Sequence, residues 1–434
     1  MVENPFLIRS VDALQVLDSR GDPTVEVVVV TAGGGVGRAI APAGASRGKY
    51  EAVELRDNDP KKYCGRSVLK AVENVRHFLG PAIQGLDSRK QREIDRVLKE
   101  VDGTKNKSKM GANAMIATSL AVAKAAADTA KLPLFAYLGG AKSRTLPIPM
   151  LNIINGGAHA GNELAVQEFL IVPHNFDSFS EALRAAVETY KNLKKYLKEK
   201  YGALAINVGD EGGFAPPMKT TSEAIEALMH AIKMAGYEPG ADIAIALDAA
   251  ASQFYDEEKN VYRIDGRELT PEALRKYWIE LVERYPIVSI EDPFHEEAFQ
   301  DFALLNKELR GRVLIVGDDI VVTNVERLRK ALEAEALTAV IVKPNQIGTL
   351  SETLDFIDEA KTRGIYTVIS HRSGETEDTT IAHLAVAVGS QFIKTGAPAR
   401  GERTAKYNEL LRIEHMLGDD AVYMGTLVKL RNIK

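Results

Sequence analysis

In the second half of this chain a series of ionisable residues closes one short apolar run after another. Asp248 ends IAIALD, Glu291 ends IVSIE, Asp318 follows LIVG, Lys343 ends AVIVK, His371 follows YTVIS and Lys394 ends FIK. Successive members lie about one βα unit apart, with extra chain in the first interval. Any one of them alone reads equally well as a cap at a strand-to-helix turn. The regular series reads as the mouth of a β/α barrel, where strand ends and the loops after them build the active site. Three carboxylates followed by cations then pair a metal site with a base and an anion clamp.

Asp248, Glu291 and Asp318 offer only oxygen, with no Cys or His interleaved in the carboxylate part of the series. Such a donor set suits a hard cation, Mg²⁺ above all, which keeps some water and takes further ligands from a substrate. Asp292 and Asp319 directly follow two of these residues, and their position leaves them open between supporting and structural roles. Lys343 sits in VKPNQIGT. A lysine ordinarily titrates near pH 10.4 and is a poor base at neutrality. Nearby cations, bound Mg²⁺ and Lys394 among them, favour its neutral form and so allow it to accept a proton. A plain ion pair with Asp318 fits its position equally well. His371, Arg372, Ser373 and Lys394 supply cationic and hydroxyl donors, and an arginine suits bidentate binding of phosphate or carboxylate. An anionic substrate is expected.

Further candidates precede the series. Asn155–Asn162 is a glycine-rich polar loop carrying His159. Asp210-Glu211-Gly212-Gly213 presents two carboxylates on a glycine turn, and Gln167-Glu168-Phe169 sits at what reads as the end of another apolar run. Glu168 and Glu211 are candidates for general-acid work opposite Lys343, although paired carboxylates also occur in plain surface turns. A dinucleotide-binding reading of the glycines at 33–37 fails, because no helix and acidic partner follow at the required spacing.

The elements that must hold these residues fall into two parts. The chain has 434 residues, too many for one ordinary domain, and a barrel of about 250 leaves room for a second. Val25–Val30 is a strong β run, and the glycines at 33–37 turn into another strand. Residues 41–51, APAGASRGKYE, hold glycines and no large apolar anchor, and read as a mobile loop. Gly111–Ala130 is alanine-rich and reads as a buried helix. Two glycines and two prolines in residues 138–149 mark the boundary, giving an N-terminal α+β domain over 1–139 and a barrel over 145–434. Beyond it strand and helix signals alternate. Ser178 and Glu181 form a capping box, and Thr270 caps a helix with Pro271 at its first position. Helices are also expected after Thr323, after Ser351 and over 379–389.

The composition, 45% apolar and 26% charged with net charge −5, is that of a globular protein and disfavours nucleic acid or a membrane surface as main partner. Cys64 is the only cysteine, which excludes an internal disulfide and a cysteine zinc site and fits a reducing cytoplasm. The N-terminal residues lack a signal-peptide core, and no apolar run approaches the roughly 20 residues of a membrane span.

The stretches LDSRGDPTVEV, GASRG, NGGAHAGN, QEF, GDEGG, ALDAAASQF, SIEDPF, VGDDI, KPNQIGT, SHRSGETED and KTGAPARGER together closely resemble the enolases, in family order from residue 17 to 403. The resemblance implies a small N-terminal α+β domain and an eight-stranded barrel of ββαα(βα)6 form. It implies Mg²⁺-dependent, reversible dehydration of 2-phospho-D-glycerate to phosphoenolpyruvate in glycolysis and gluconeogenesis. By motif, Lys343 matches the base that removes the C2 proton, and Glu211 the acid that helps the 3-hydroxyl leave, assisted by Glu168. Asp248, Glu291 and Asp318 match the ligands of one Mg²⁺, and Ser46 a ligand of a second. His159, Gln167, His371, Arg372, Ser373 and Lys394 match substrate contacts. The family also implies a homo-oligomer, dimer or octamer, a cytoplasmic location and a known secondary presence at the cell surface. The chain departs from the family pattern at Arg47, Gln253 and Pro344, none of which removes a catalytic group. Two other readings compete: a racemase or cycloisomerase of the same superfamily, and a non-enzymatic surface protein.

Overall fold

The computed structural model describes residues 4–45, 48–157, 160–428 and 430. Ser46, Arg47 and His159 lie outside that set.

The chain begins with an antiparallel sheet of β1 (Ile8–Leu17), β2 (Pro23–Thr31) and β3 (Val36–Ile40). The run of β-branched valines in β2 puts it at the centre, paired on both sides. Helix α1 (Gln91–Asp102) and helix α2 (Ala112–Thr129) follow. Nearly all of α2 is buried, which its alanines permit: small side chains on every face let a helix lie between other elements. The closest approach is at β3, where a Cβ on Gly37 would fall 2.0 Å from the Ala121 carbonyl oxygen of α2.

The second part is a closed barrel of β4 (Ile148–Asn155), β5 (Glu168–Pro173), β6 (Ile243–Asp248), β7 (Ile287–Glu291), β8 (Leu314–Gly317), β9 (Ala339–Val342), β10 (Tyr366–Ser370) and β11 (Phe392–Lys394). Strand β5 runs antiparallel to both neighbours, and every other adjacent pair is parallel. Between β5 and β6 come two helices, α3 (Phe179–Tyr201) and α4 (Thr221–Met234). One helix or more then follows each strand: α5 (Pro271–Arg284), α6 (Phe299–Leu309), α7 (Val325–Glu333), the short α8 (Pro344–Ile347) with α9 (Leu350–Thr362), α10 (Thr380–Val388) and α11 (Gly401–Leu417). This is the ββαα(βα)6 order.

The capping signals act as expected at α3, where Ser178 accepts from the Glu181 N–H, and at α5, where Thr270 accepts from Ala273. Helix α7 follows Thr323 as expected, capped by Asn324, while the Thr323 hydroxyl donates to Gln346. One helix start differs. Thr349, not a residue after Ser351, caps α9, so Ser351 lies inside the helix. There it gives its N–H to Asp95 of α1, a contact between the two parts of the chain that local sequence does not reveal.

The described residues of 41–51 are held by polar contacts. Ala43 exchanges both backbone hydrogen bonds with Gly374, Ala45 N–H donates to the Ser373 hydroxyl, and Glu51 pairs with Arg372. Among the described residues no helix is long and apolar enough to cross a membrane.

Candidate active site

Strand register sets one level at the mouth. Glu168 pairs with Asp248, Asp248 with Glu291, and Ser370 with Lys394 in adjoining strands. Glu168 corrects the sequence expectation: it starts its strand and does not end it. It still reaches the mouth because β5 is antiparallel, so its first residue lies where its neighbours have their last. Asp318, Lys343 and His371 each stand one residue beyond a strand, at the same end.

All of these but Glu291 line one cleft, together with Gln167, Glu211, Arg372 and Ser373, and Glu291 reaches it through Lys394. All of Gln167, Glu168, Glu211, Asp248, Glu291, Asp318, His371, Arg372, Ser373 and Lys394 are buried. The cleft has only about 30 Å³ of free volume, because ion pairs span it. A cavity of about 580 Å³ opens at the opposite end of the barrel, beside Val288, Leu314, Thr338 and Tyr366. It has no convergent carboxylates, and that end of a barrel serves stability more than chemistry.

The Lys394 ammonium lies 2.8 Å from Asp248 Oδ2, 2.8 Å from Glu291 Oε2 and 3.1 Å from Glu168 Oε2. These carboxylates hold it firmly charged against the cost of burial. One ammonium cannot neutralise them all. Burial, then the Glu211 charge, pushes Glu168 well above the usual carboxylate range, and burial with Asp248 does the same to Glu291. On the other side, Lys343 Nζ pairs with Asp318 Oδ2. Burial opposes charge on both, yet the pair wins: Lys343 is raised and Asp318 lowered. Lys394 and Arg372 do favour neutral Lys343, as expected of nearby cations, but the Asp318 carboxylate outweighs them here.

Carboxylate oxygens of Asp292, Asp318 and Asp319 also approach within 4.8 Å of one another. Asp292, however, already accepts the Asp318 N–H at 3.0 Å and the Asp319 N–H at 2.8 Å. It anchors the turn's backbone and holds Asp318 in place. Gln346 steadies Asp318 from another side, donating to Oδ1 at 3.1 Å.

Arg372 grips Glu51, with 3.0 Å from NH1 to Oε2 and 3.0 Å from NH2 to Oε1. The bidentate geometry expected toward an anion is present, with a protein carboxylate in it. Glu211 Oε2 accepts from Asn152 Nδ2 at 3.0 Å and faces His371 Nε2 at 3.4 Å. Burial pushes His371 down to about 4, with the Arg403 charge adding to it and Glu211 opposing. The imidazole is neutral at pH 7.

Glu51, Asn152, Gln346 and Arg403 were not singled out from sequence. Asn152 carried a usable signal, a polar residue amid the buried run LNIIN. Glu51 carried none, since its partner lies across the domain boundary.

A closed barrel opened by an antiparallel ββαα unit, joined to a small three-stranded α+β domain and ringed at its mouth by carboxylates and lysines, defines the enolase-type barrel class. Residues 8–138 match the family description "Enolase, N-terminal domain", and residues 143–431 match "Enolase, C-terminal TIM barrel domain". A protein of Methanocaldococcus jannaschii named "Enolase" is 58% identical over 96% of this chain and 97% of its own length. Proteins of the same name from Methanopyrus kandleri and Aeropyrum pernix are 57% and 54% identical over 96% and 97% of this chain, and 97% of each relative. The chain belongs to the enolase family.

Proposed function

We propose that the chain is a hydro-lyase that interconverts 2-phospho-D-glycerate and phosphoenolpyruvate, with Lys343 as base and Glu211 as acid. The observation that carries this reading is that Lys343 and Glu211 line one cleft together with Glu168, Asp248 and Asp318. The high identity to proteins named enolase over nearly the whole chain disfavours a racemase or cycloisomerase.

The residues fit a divalent cation. Asp248, Glu291 and Asp318 are buried hard-oxygen donors on rigid strand ends, and the negative charge there exceeds what Lys394 offsets. We assign these three to one Mg²⁺, and Ser46, outside the described residues, to a second. Mg²⁺, when bound, supplies the positive charge that a substrate carboxylate needs as its α-carbon loses a proton.

The protein groups do the rest. Arg372, Ser373 and Lys394 bind the phosphate and carboxylate, with Gln167, His159 and His371 completing the contacts. Entry of an anion requires the ion pairs that fill the cleft to exchange partners, Arg372 giving up Glu51 for the substrate. Lys343 takes the C2 proton once Asp318 is drawn toward another cation, since that pair is what keeps its ammonium protonated. Glu211 then gives a proton to the departing 3-hydroxyl, and Glu168 beside it raises the proton affinity of the pair. Phosphoenolpyruvate formation from 2-phosphoglycerate, followed by absorbance with and without Mg²⁺, tests the reading. No product at any Mg²⁺ concentration would overturn it.

A further inference from the structure

Arg403 lies on α11, outside the strand-end series, and its side chain is completely buried. A buried guanidinium needs strong compensation. Here most of it comes from the site's own backbone. NH1 donates to the Arg372 carbonyl at 2.7 Å, and NH2 donates to the carbonyls of Asp210 at 2.9 Å and Ser373 at 2.5 Å. Arg403 thus ties the segment carrying Glu211 to the segment carrying His371, Arg372 and Ser373. Its nearest carboxylate, Glu402, stands 3.5 Å from Nε.

The remaining contact is chemical as well as structural. NH1 lies 2.6 Å from Nδ1 of His371. A guanidinium is always a donor, so Nδ1 must be the acceptor. In a neutral imidazole the proton then sits on Nε2, which faces Glu211 Oε2 at 3.4 Å. Asn152 Nδ2 donates to the same oxygen. The tautomer therefore turns a hydrogen-bearing nitrogen toward the Glu211 carboxylate, beside the Asn152 donor. Packing enforces the arrangement. Gly396 has φ +81°, and a Cβ there would lie 2.7 Å from the Glu211 carbonyl oxygen, 3.0 Å from Arg403 Cδ and 3.1 Å from His371 Cε1.

We propose that Arg403 is a positioning residue of the active site: it fixes His371 as the Nε2–H tautomer, so that the ring presents a donor, not an acceptor, to the Glu211 carboxylate. The proposal rests on the reading of Glu211 as the acid. Loss of Arg403 should spoil the dehydration step while leaving proton removal by Lys343 in place.

The first measurement needs no variant at the arginine. With ¹⁵N-labelled histidine, and His371→Gln to assign the signal, His371 in the wild-type protein should be protonated on Nε2 and bare on Nδ1 at pH 7. A proton on Nδ1 overturns the proposal whatever the catalytic activity, so its failure is separable from that of the proposed function. The second compares Arg403→Gln and Arg403→Lys. Turnover should fall about 100-fold in Arg403→Gln with KM changed less than about threefold, the size expected of a misplaced catalytic group. Exchange of the C2 proton of 2-phosphoglycerate with deuterated water should persist. Arg403→Lys, which keeps a donor, should recover part of the turnover. Exchange and dehydration lost in equal measure would mark Arg403 as merely structural and overturn the assignment.

Discussion

At the residue scale the site is a set of competing partnerships, and the base and acid can be told apart by which step each controls. Lys343→Ala should abolish C2 proton exchange in deuterated water. Glu211→Gln should keep exchange and lose dehydration. The opposite pattern would mean the two roles are reversed. His371 gives a second expectation, on stability. Its folded pKa is about 4, against 6.5 unfolded. Between those values the unfolded chain binds a proton that the native protein refuses. Stability is therefore full above pH 6.5 and declines as pH falls toward 4, by at most about 3 kcal/mol from this residue. His174 and His295, also lowered by burial, add to the slope. Urea unfolding of wild type and His371→Gln across pH 7 to 4.5 isolates the contribution: the variant should lose less stability on acidification. Equal slopes would show that the ring is not held neutral.

At the element scale, what could be read from sequence was whatever local pattern decides. The valines of β2, the alanines of α2 and the Ser178 and Thr270 caps each contain their own reason, and each forms as expected. So do the strand-end residues, because a buried parallel strand must stop where its apolar run stops. The place of Glu168 at the start of its strand is not legible in the sequence, because direction relative to neighbours is a property of the sheet, not of the run. Glu51 and Arg403 stayed invisible because their partners are hundreds of residues away in the chain or on another element. Glycines show the same division. Gly37 looks like a loose spot in a strand, yet Ala121 oxygen and Ala125 nitrogen of α2 occupy the place where a side chain would go. Both are backbone atoms and cannot rotate aside. Gly37→Val should therefore destabilise the N-terminal part by about 3 kcal/mol or more, seen as a lower midpoint in thermal unfolding. A midpoint unchanged within a degree or so would mean that sheet and helix do not touch there.

At the scale of the whole molecule, the surplus of carboxylates at the mouth couples cation binding to stability. A ligand that binds only the native state stabilises by about 2.7 kcal/mol at 100 times its dissociation constant. Adding Mg²⁺ should raise the melting temperature with concentration, and chelation should lower it to the metal-free value. Asp318→Asn removes one anionic donor and should blunt the rise. A melting temperature indifferent to Mg²⁺ in the wild type would contradict the assignment of Asp248, Glu291 and Asp318 as ligands.

The barrel's closing seam has a consequence for synthesis. Strand β11 seals the cylinder by pairing Phe392 with Ile148 and Lys394 with Met150. A growing polypeptide that has not yet reached Lys394 has an open sheet with a bare edge at β4, and edges of that kind invite pairing with other chains. The same unfinished chain already contains Glu168, Asp248 and Glu291 but not the ammonium set among them. The ribosome thus delivers the seal and the counter-charge together, on one short strand that is made after the other seven of the barrel. The N-terminal sheet and α2 are complete long before, and can fold while the cylinder waits. Any truncation ahead of Phe392 removes geometric closure and electrostatic balance at a stroke, and such fragments should aggregate, not accumulate as partial barrels.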